Sequence, residues 1–259
     1  MFGFVYEDCN IEKEQIEKYL NLNSSLSGLM ILSGGCTMFE ISKYFDNGLG
    51  SLTAIDFNQE QVNLVKNKIN LLENEPEKYN QFISQINMPF DNLFQRIKNS
   101  ESFDKVFSTN NLISQFGESA VINTQDSFVE HFENVYNNKS YPKEWNWIWG
   151  RNLSSKNINE ELTENLKYIK KTNIVCGKFE DLLTLDRYDF IQTSNLTDWM
   201  DKETFDIFCE KLSKSLKQGG ILIMRRLLSD NILIDKFPDS IKLYDKTNFY
   251  KETICYVKK

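Results

Sequence analysis

The chain has 259 residues, 41% hydrophobic and 13% aromatic, enough to bury one large domain or one domain with an insertion. A formal net charge of −7 and a pI near 5.0 exclude the broad basic face that a nucleic-acid polymer requires, and limit lipid contact to a peripheral, local patch. No apolar run approaches a membrane span and no basic n-region opens the sequence. The five cysteines (Cys9, Cys36, Cys176, Cys209, Cys255) are scattered and include no Cys-x-x-Cys, so free thiols in a reducing cytoplasm are expected. With His131 as the single histidine, no metal site is expected.

Residues 1–28 read as a lead-in. Ile11, Ile16, Tyr19 and Leu20 have helical spacing over 11–22, and a polar link follows. The core domain is expected over 29–259. Leu29-Met30-Ile31-Leu32 predicts a strand, Ser33-Gly34-Gly35-Cys36 a tight turn, and residues 37–45 a helix with Met38, Ile41, Tyr44 and Phe45 on one face. Such a turn lies at the carboxyl end of its strand, where open α/β sheets bind ligands. Gly34 and Gly35 let the backbone approach a ligand closely, and the helix start aims free N–H groups at a carboxylate or phosphate.

Residues 51–55 predict a second strand ending at Asp56. An acidic residue at a strand end, about twenty residues after a glycine turn, can hydrogen-bond both ribose hydroxyls. Phe57 beside it suits either an adenine face or the core. Asn58 is placed to cap a helix whose apolar stripe is Val62, Val65, Ile69 and Leu72. The turn lacks the third glycine of the dinucleotide pattern and the Lys-Ser/Thr of a phosphate loop. A nucleoside with a small charged tail fits better than NAD or ATP, and S-adenosylmethionine is such a molecule.

Residues 73–158 read as a mostly helical insertion between the second and third strands, a lid or acceptor pocket over the cofactor mouth. Its stripes include Phe82 and Ile86, Phe90 and Phe94, and Phe128 and Phe132. Trp145, Trp147 and Trp149 suit packing under a loop or a platform for an apolar or planar acceptor. His131 reads as structural.

The α/β pattern resumes with a helix over 160–171 and a strand over 173–176, ending at Gly177-Lys178-Phe179-Glu180-Asp181. Phe179 and Glu180 suit the adenine edge, and Glu180 reads equally as a solvated helix start. A strand over 188–193 ends in Ser194-Asn195-Leu196-Thr197-Asp198-Trp199-Met200. A helix over 202–216 is expected to stop at Gly219-Gly220. Residues 221–224 are a continuous apolar strand, followed by Arg225-Arg226. Residues 241–244 and 253–257 form a candidate terminal hairpin. The class is α/β: a doubly wound, mostly parallel sheet of the class I S-adenosylmethionine-dependent methyltransferase type.

Four strand ends should therefore converge. Ser33, Gly34, Gly35, Cys36, Asp56, Phe57, Phe179, Glu180, Thr193 and Ser194 form the candidate cofactor set. Asn195, Asp198 and Trp199 stand where the reacting group should lie. Asp198 is the candidate proton acceptor if burial raises its pKa; its other reading is an N-cap or a partner for Arg225 or Arg226. Arg225 could clamp a cofactor carboxylate bidentately, or form an ion pair.

Several segments together resemble one family, the S-adenosylmethionine:diacylglycerol 3-amino-3-carboxypropyl transferases of betaine-lipid synthesis. They are Tyr6-Glu7-Asp8, Leu32 to Cys36, Ala54 to Asn58 with Gln61, Phe116-Gly117-Glu118-Ser119-Ala120, Ser194 to Met200, and Gly219-Gly220 to Arg225. The cofactor loop is shared with many methyltransferases, whereas the Glu-Asp, Phe-Gly and Asp-Trp-Met segments are more specific. The resemblance implies that Gln61 joins the cofactor set. It implies that Tyr6, Glu7, Asp8, Phe116 and Arg225 face the acceptor. It also implies displacement at a sulfonium-activated carbon, with S-adenosylmethionine as co-substrate. Attack on the methyl leaves S-adenosylhomocysteine, and attack on the γ-carbon of the tail leaves methylthioadenosine; spacing does not separate these, and the resemblance favours the second. The acceptor would be a diacylglycerol-like hydroxyl or a small-molecule amine. The rival readings are a small-molecule methyltransferase and a non-catalytic S-adenosylmethionine-binding protein.

Overall fold

The computed structural model describes residues 7–85, 158–247 and 250–259, a short antiparallel ribbon pairing Trp147–Ile148 with Arg151–Asn152, and single positions 113, 118, 130 and 137. The framework is a seven-stranded sheet. Its strands are β1 (Ser27–Ile31), β2 (Ser51–Asp56), β3 (Asn173–Cys176), β4 (Tyr188–Gln192), β5 (Leu216–Arg226), β6 (Ile241–Lys242) and β7 (Glu252–Val257). The order is β3-β2-β1-β4-β5-β7-β6; β1 to β5 are parallel, and β7 is antiparallel to both β5 and β6. That order, with a reversed β7 inserted beside β5, is the class I S-adenosylmethionine-dependent methyltransferase fold. The chain winds outward in both directions from β1, so the switch point falls between β1 and β4. Open α/β sheets bind ligands in the crevice outside such a point.

Alternation along the buried strands explains the two-sided packing. Met30, Ala54, Phe190, Ile221 and Ile223 join one apolar cluster, while Leu29, Ile55, Ile191, Leu222 and Met224 join the other. Successive side chains point to opposite faces, so a continuous apolar run is what a sheet covered on both faces needs. One face carries α1 (Asn10–Tyr19), α2 (Cys36–Ile41), α3 (Gln59–Asn74), α4 (Pro76–Gln85) and α5 (Ile158–Ile169), through Ile16, Phe39, Val65, Tyr79 and Leu162. The other carries α6 (Lys202–Ser215) and α7 (Leu233–Lys236), through Phe205, Phe208, Leu212 and Leu233. Asn58 caps α3 by accepting the Glu60 amide at 2.9 Å, and Asp201 caps α6 by accepting that of Thr204 at 2.8 Å.

Three local expectations change. The single helix expected over 37–45 is α2 followed by a 3-10 turn at Ser42–Phe45. The helix before β5 does not stop at Gly219-Gly220; it ends at Ser215, and β5 begins at Leu216 and runs through both glycines. A Cβ on Gly220 would lie 2.9 Å from the Lys217 carbonyl oxygen and 3.0 Å from that of Tyr188, beside the register shift between β4 and β5. The glycines thus serve an irregular strand rather than a helix end. The expected terminal pair does form as β6 and β7, but β7 lies between β6 and β5.

Of the expected insertion, α4 and the ribbon are described. Phe116, His131, Trp145 and Trp149 lie outside the described residues, as does Tyr6. Among the described residues no helix is long and apolar enough to cross a membrane.

Candidate functional site

The loop after β1 is held by a set of hydrogen bonds. The Leu32 amide donates to the Ile55 carbonyl at 2.8 Å, continuing the ladder, and the Gly35 amide closes the turn on the Leu32 carbonyl at 2.8 Å. Ser33 has φ +46° and Gly35 φ +80°. A Cβ on Gly35 would stand 2.8 Å from Val65 Cγ1, so glycine is required there by backbone conformation and by packing against α3. Gln61 Nε2 donates to the Ser33 carbonyl at 2.7 Å, and the Ser33 amide donates to Asp56 Oδ2 at 3.2 Å. A left-handed non-glycine residue with both peptide groups tied is the kind of strain that clusters at binding sites.

Asp56, half-buried at the end of β2, also accepts the Asn58 amide at 2.9 Å through Oδ1. Burial pushes its carboxyl up to about 6, against the opposing pull of the Asn58 and Ser33 amides. Its neighbour Phe57 is half-buried, and Cys176 Sγ lies 3.5 Å from the Phe57 carbonyl. Phe179 is corrected: it is 3% exposed, packed edge-on against Phe208 at 6.1 Å between centroids, and belongs to the core rather than to an adenine face. Glu180 beside it is half-buried.

Lys68 on α3 was not anticipated. It is 1% exposed, donates from Nζ to the Gly34 carbonyl, and lies 3.8 Å from Cys36 Sγ and 5.7 Å from the Phe39 ring centroid. Burial lowers its pKa. The sequence did carry a signal, since residue 68 falls three after Val65 and four before Leu72, on the stripe that reads as core.

At the carboxyl end of β4 the polar groups are densest. Thr193 is fully buried, and its amide donates to the Ile223 carbonyl at 3.2 Å. Ser194 has φ +51°, a second left-handed non-glycine residue at a strand end. Ser194 meets Glu7, which is 1% exposed and fixed by three side chains. Thr37 Oγ1 of α2 donates to Glu7 Oε2 at 3.1 Å, Gln192 Nε2 of β4 donates to the same oxygen at 3.0 Å, and Ser194 Oγ donates to Oε1. Tyr250, another unanticipated residue, makes a side-chain hydrogen bond with Ser194; burial and Glu7 push its phenol well above the usual range.

The structure gives Arg225 a different part from a cofactor clamp. It is fully buried at the end of β5. Nη1 and Nη2 grip the two oxygens of Glu12, Nη2 also reaches the Asp8 carbonyl at 3.4 Å, Nε donates to Asp245 Oδ2 at 3.1 Å, and Nη1 stands 3.6 Å from Glu7. Its donors are thereby committed inside the protein, and the guanidinium pins the N-terminal segment to the sheet. Asp8 is likewise engaged: its Oδ1 accepts the Asn10 amide at 3.2 Å at the start of α1, and its own amide donates to Asp245.

Asp198 is also corrected. It is 5% exposed, and its oxygens accept the amides of Leu227 (3.0 Å), Leu228 (3.1 Å) and Ser229 (3.2 Å), together with Asn195 Nδ2 (3.1 Å). Burial raises its pKa while these bonds pull it down. A carboxylate so filled anchors the turn after β5 and holds no free lone pair aimed at an acceptor. Neither arginine is its partner, since Arg226 pairs with Glu252 at 2.9 Å. Asn195 and Trp199 are half-buried around the same turn.

The structure thus brings Ser33 to Cys36, Asp56, Gln61, Glu7, Thr193 and Ser194 to one edge. That edge offers a half-buried carboxylate, a tied glycine loop and a row of oriented hydroxyls. Among the described residues no group of three or more His, Cys, Asp or Glu could hold a metal ion.

No protein-family model matches the sequence, and no curated protein matches it. Among solved structures, the chain resembles two structures of the rRNA methyltransferase AviRa from Streptomyces viridochromogenes. One gives 11% identity over 98% of this chain and 86% of that one, TM-score 0.45. The other gives 11% identity over 95% and 82%, TM-score 0.43. A protein assigned as a sarcosine dimethylglycine methyltransferase from Galdieria sulphuraria gives 9% identity, TM-score 0.39; the match covers 89% of this chain but about half (51%) of that one. These are likenesses of fold at low identity, and the strand order above establishes the fold itself.

Proposed function

We propose that the chain is an S-adenosylmethionine-dependent transferase that moves the 3-amino-3-carboxypropyl group to the hydroxyl or amine of a small-molecule or lipid acceptor, releasing methylthioadenosine. The observation that carries the cofactor reading is Asp56: a half-buried carboxylate at the end of β2, hydrogen-bonded to the Ser33 amide of the glycine loop and placed to take a ribose diol. Support for the transferred group comes from the resemblance. The segments that carry its specificity, Glu7-Asp8 and Ser194 to Met200, meet in one hydrogen-bonded cluster beside that loop. An acceptor held at this edge would meet the sulfonium from the β4 side, and the carbon attacked depends on where the nucleophile is held.

The acidic chain favours a small or lipid acceptor over a nucleic-acid polymer. Methyl transfer is the second reading, favoured by the strand order that this sheet shares with methyltransferases. Incubation with S-adenosylmethionine and a panel of hydroxyl and amine acceptors decides the matter. Methylthioadenosine formed in step with acceptor consumption is the expected product. S-adenosylhomocysteine instead would replace the first reading with the second, and tight binding without turnover would leave a binding protein.

A further inference from the structure

Two buried opposite charges flank the first turn of α2. On one side Lys68 donates to the Gly34 carbonyl and lies 3.8 Å from Cys36 Sγ. On the other, the next residue, Thr37, donates from Oγ1 to Glu7 at 3.1 Å. Each charged side chain is 1% exposed. Buried charges need partners, which Glu7 has in Thr37, Gln192, Ser194 and Arg225 and Lys68 has in the Gly34 carbonyl, and both sets of partners lie on or beside the ligand loop. We propose that Lys68 and Glu7 are positioning residues that read the charged tail of the adenosine ligand, Lys68 favouring its carboxylate and Glu7 its ammonium. This rests on the cofactor reading above and assigns the part of the ligand that Asp56 does not touch.

On the Glu7 side the argument is one of proton direction. A hydroxyl has one hydrogen to give. Thr37 gives its hydrogen to Glu7 and so presents lone pairs away from it, whereas Ser194, which also donates to Glu7, is engaged by Tyr250 as well. An ammonium, which only donates, is the matching ligand group, and a carboxylate is rejected. The wider surroundings act in the same sense: Glu7, Glu12 and Asp245 surround the single guanidinium of Arg225. On the Lys68 side, the ammonium sits directly behind the Gly34 carbonyl and adds positive charge under the loop. A ligand with no tail gains nothing from either side.

The test is a ligand ladder measured by calorimetry on the full chain: S-adenosylmethionine, its decarboxylated form (ammonium kept, carboxylate lost) and methylthioadenosine (no tail). The unmutated protein should prefer S-adenosylmethionine to its decarboxylated form by about tenfold or more, the scale of one charge-assisted contact. Lys68→Met should weaken S-adenosylmethionine about tenfold while leaving the decarboxylated form and methylthioadenosine within about twofold. Glu7→Gln should weaken both tailed ligands to a similar extent and spare methylthioadenosine. Equal losses across all three ligands would mark a merely structural role and overturn the proposal. So would equal affinity of the unmutated protein for the tailed ligands, a comparison that stands even if a variant fails to fold. Failure of the unmutated protein to bind any of the three would instead remove the cofactor reading, and this inference with it.

Discussion

Asp56 shows how far a single residue can be read before folding is known. A strand end, a glycine turn and the distance between them placed it, and the structure puts it against the Ser33 amide. Its chemistry sets a pH dependence. On the proposed reading the ionised form would accept from both ribose hydroxyls, and burial has pushed the carboxyl up to about 6. Affinity for S-adenosylmethionine should be flat above about pH 7 and fall as pH drops through 6, by at most tenfold per unit. Asp56→Asn should weaken binding at pH 8 and flatten the profile; an unchanged profile in that variant would mean that another group binds the ribose.

Asp198 shows the opposite limit. Density of polar residues at a strand end marked it, but the four donors that fill it come from Asn195 and from residues 227–229, which no local pattern connects to it. Asp198→Ala strands buried amides at roughly 1–3 kcal/mol each. Thermal melting should drop by about 10 °C, given roughly 2–4 °C per kcal/mol at this size. A variant that melted normally yet lost all turnover would restore the role of proton acceptor.

At the scale of elements, periodicity located strands and helices well because the sheet is covered on both faces. Apolar runs at 29–32 and 221–224 have few other uses. The failures come where backbone geometry departs from the regular. Gly219-Gly220 looks like a helix stop because glycine ends helices, yet here it lets β5 pass the register shift beside β4. The two glycines should respond differently to substitution. Gly219 has φ +76° with open space around its Cβ direction, so Gly219→Ala should cost about 1 kcal/mol of left-handed strain. Gly220→Ala drives a methyl against three backbone carbonyls within 3.2 Å, which cannot rotate away, and should cost about 1–3 kcal/mol, the larger loss. Urea denaturation of both variants measures the order; a reversed order would mean that β5 relaxes around residue 220. Lys68 belongs to the same lesson, for a charged residue on an apolar stripe is passed over when only apolar positions are counted.

Across the whole molecule, the feature least visible in the sequence is how the N-terminal segment is fastened. Arg225 joins Glu12 to Asp245 across separations of 213 and 20 residues, and its arginine-after-strand motif gave no hint of which carboxylates it would meet. Removing one partner from a buried ionic cluster typically costs about 3–5 kcal/mol, because the remaining charges stay buried without compensation. Arg225→Met should therefore be strongly destabilised, and the deficit should depend on pH in a definite direction. Burial already raises the carboxyl of Glu12, and Arg225 holds it back. Without the guanidinium, Glu12 would bind its proton more tightly still in the folded chain than in the unfolded one. Wherever the folded state holds the extra proton, stability falls as pH rises. The variant should thus lose more against the unmutated protein at pH 8 than at pH 5.5, where protonation relieves the stranded Glu12 carboxylate. Chemical denaturation of both proteins at the two pH values measures the difference. A deficit independent of pH would mean that Arg225 matters for its packing volume alone, and that the acids around it are held by their other hydrogen bonds.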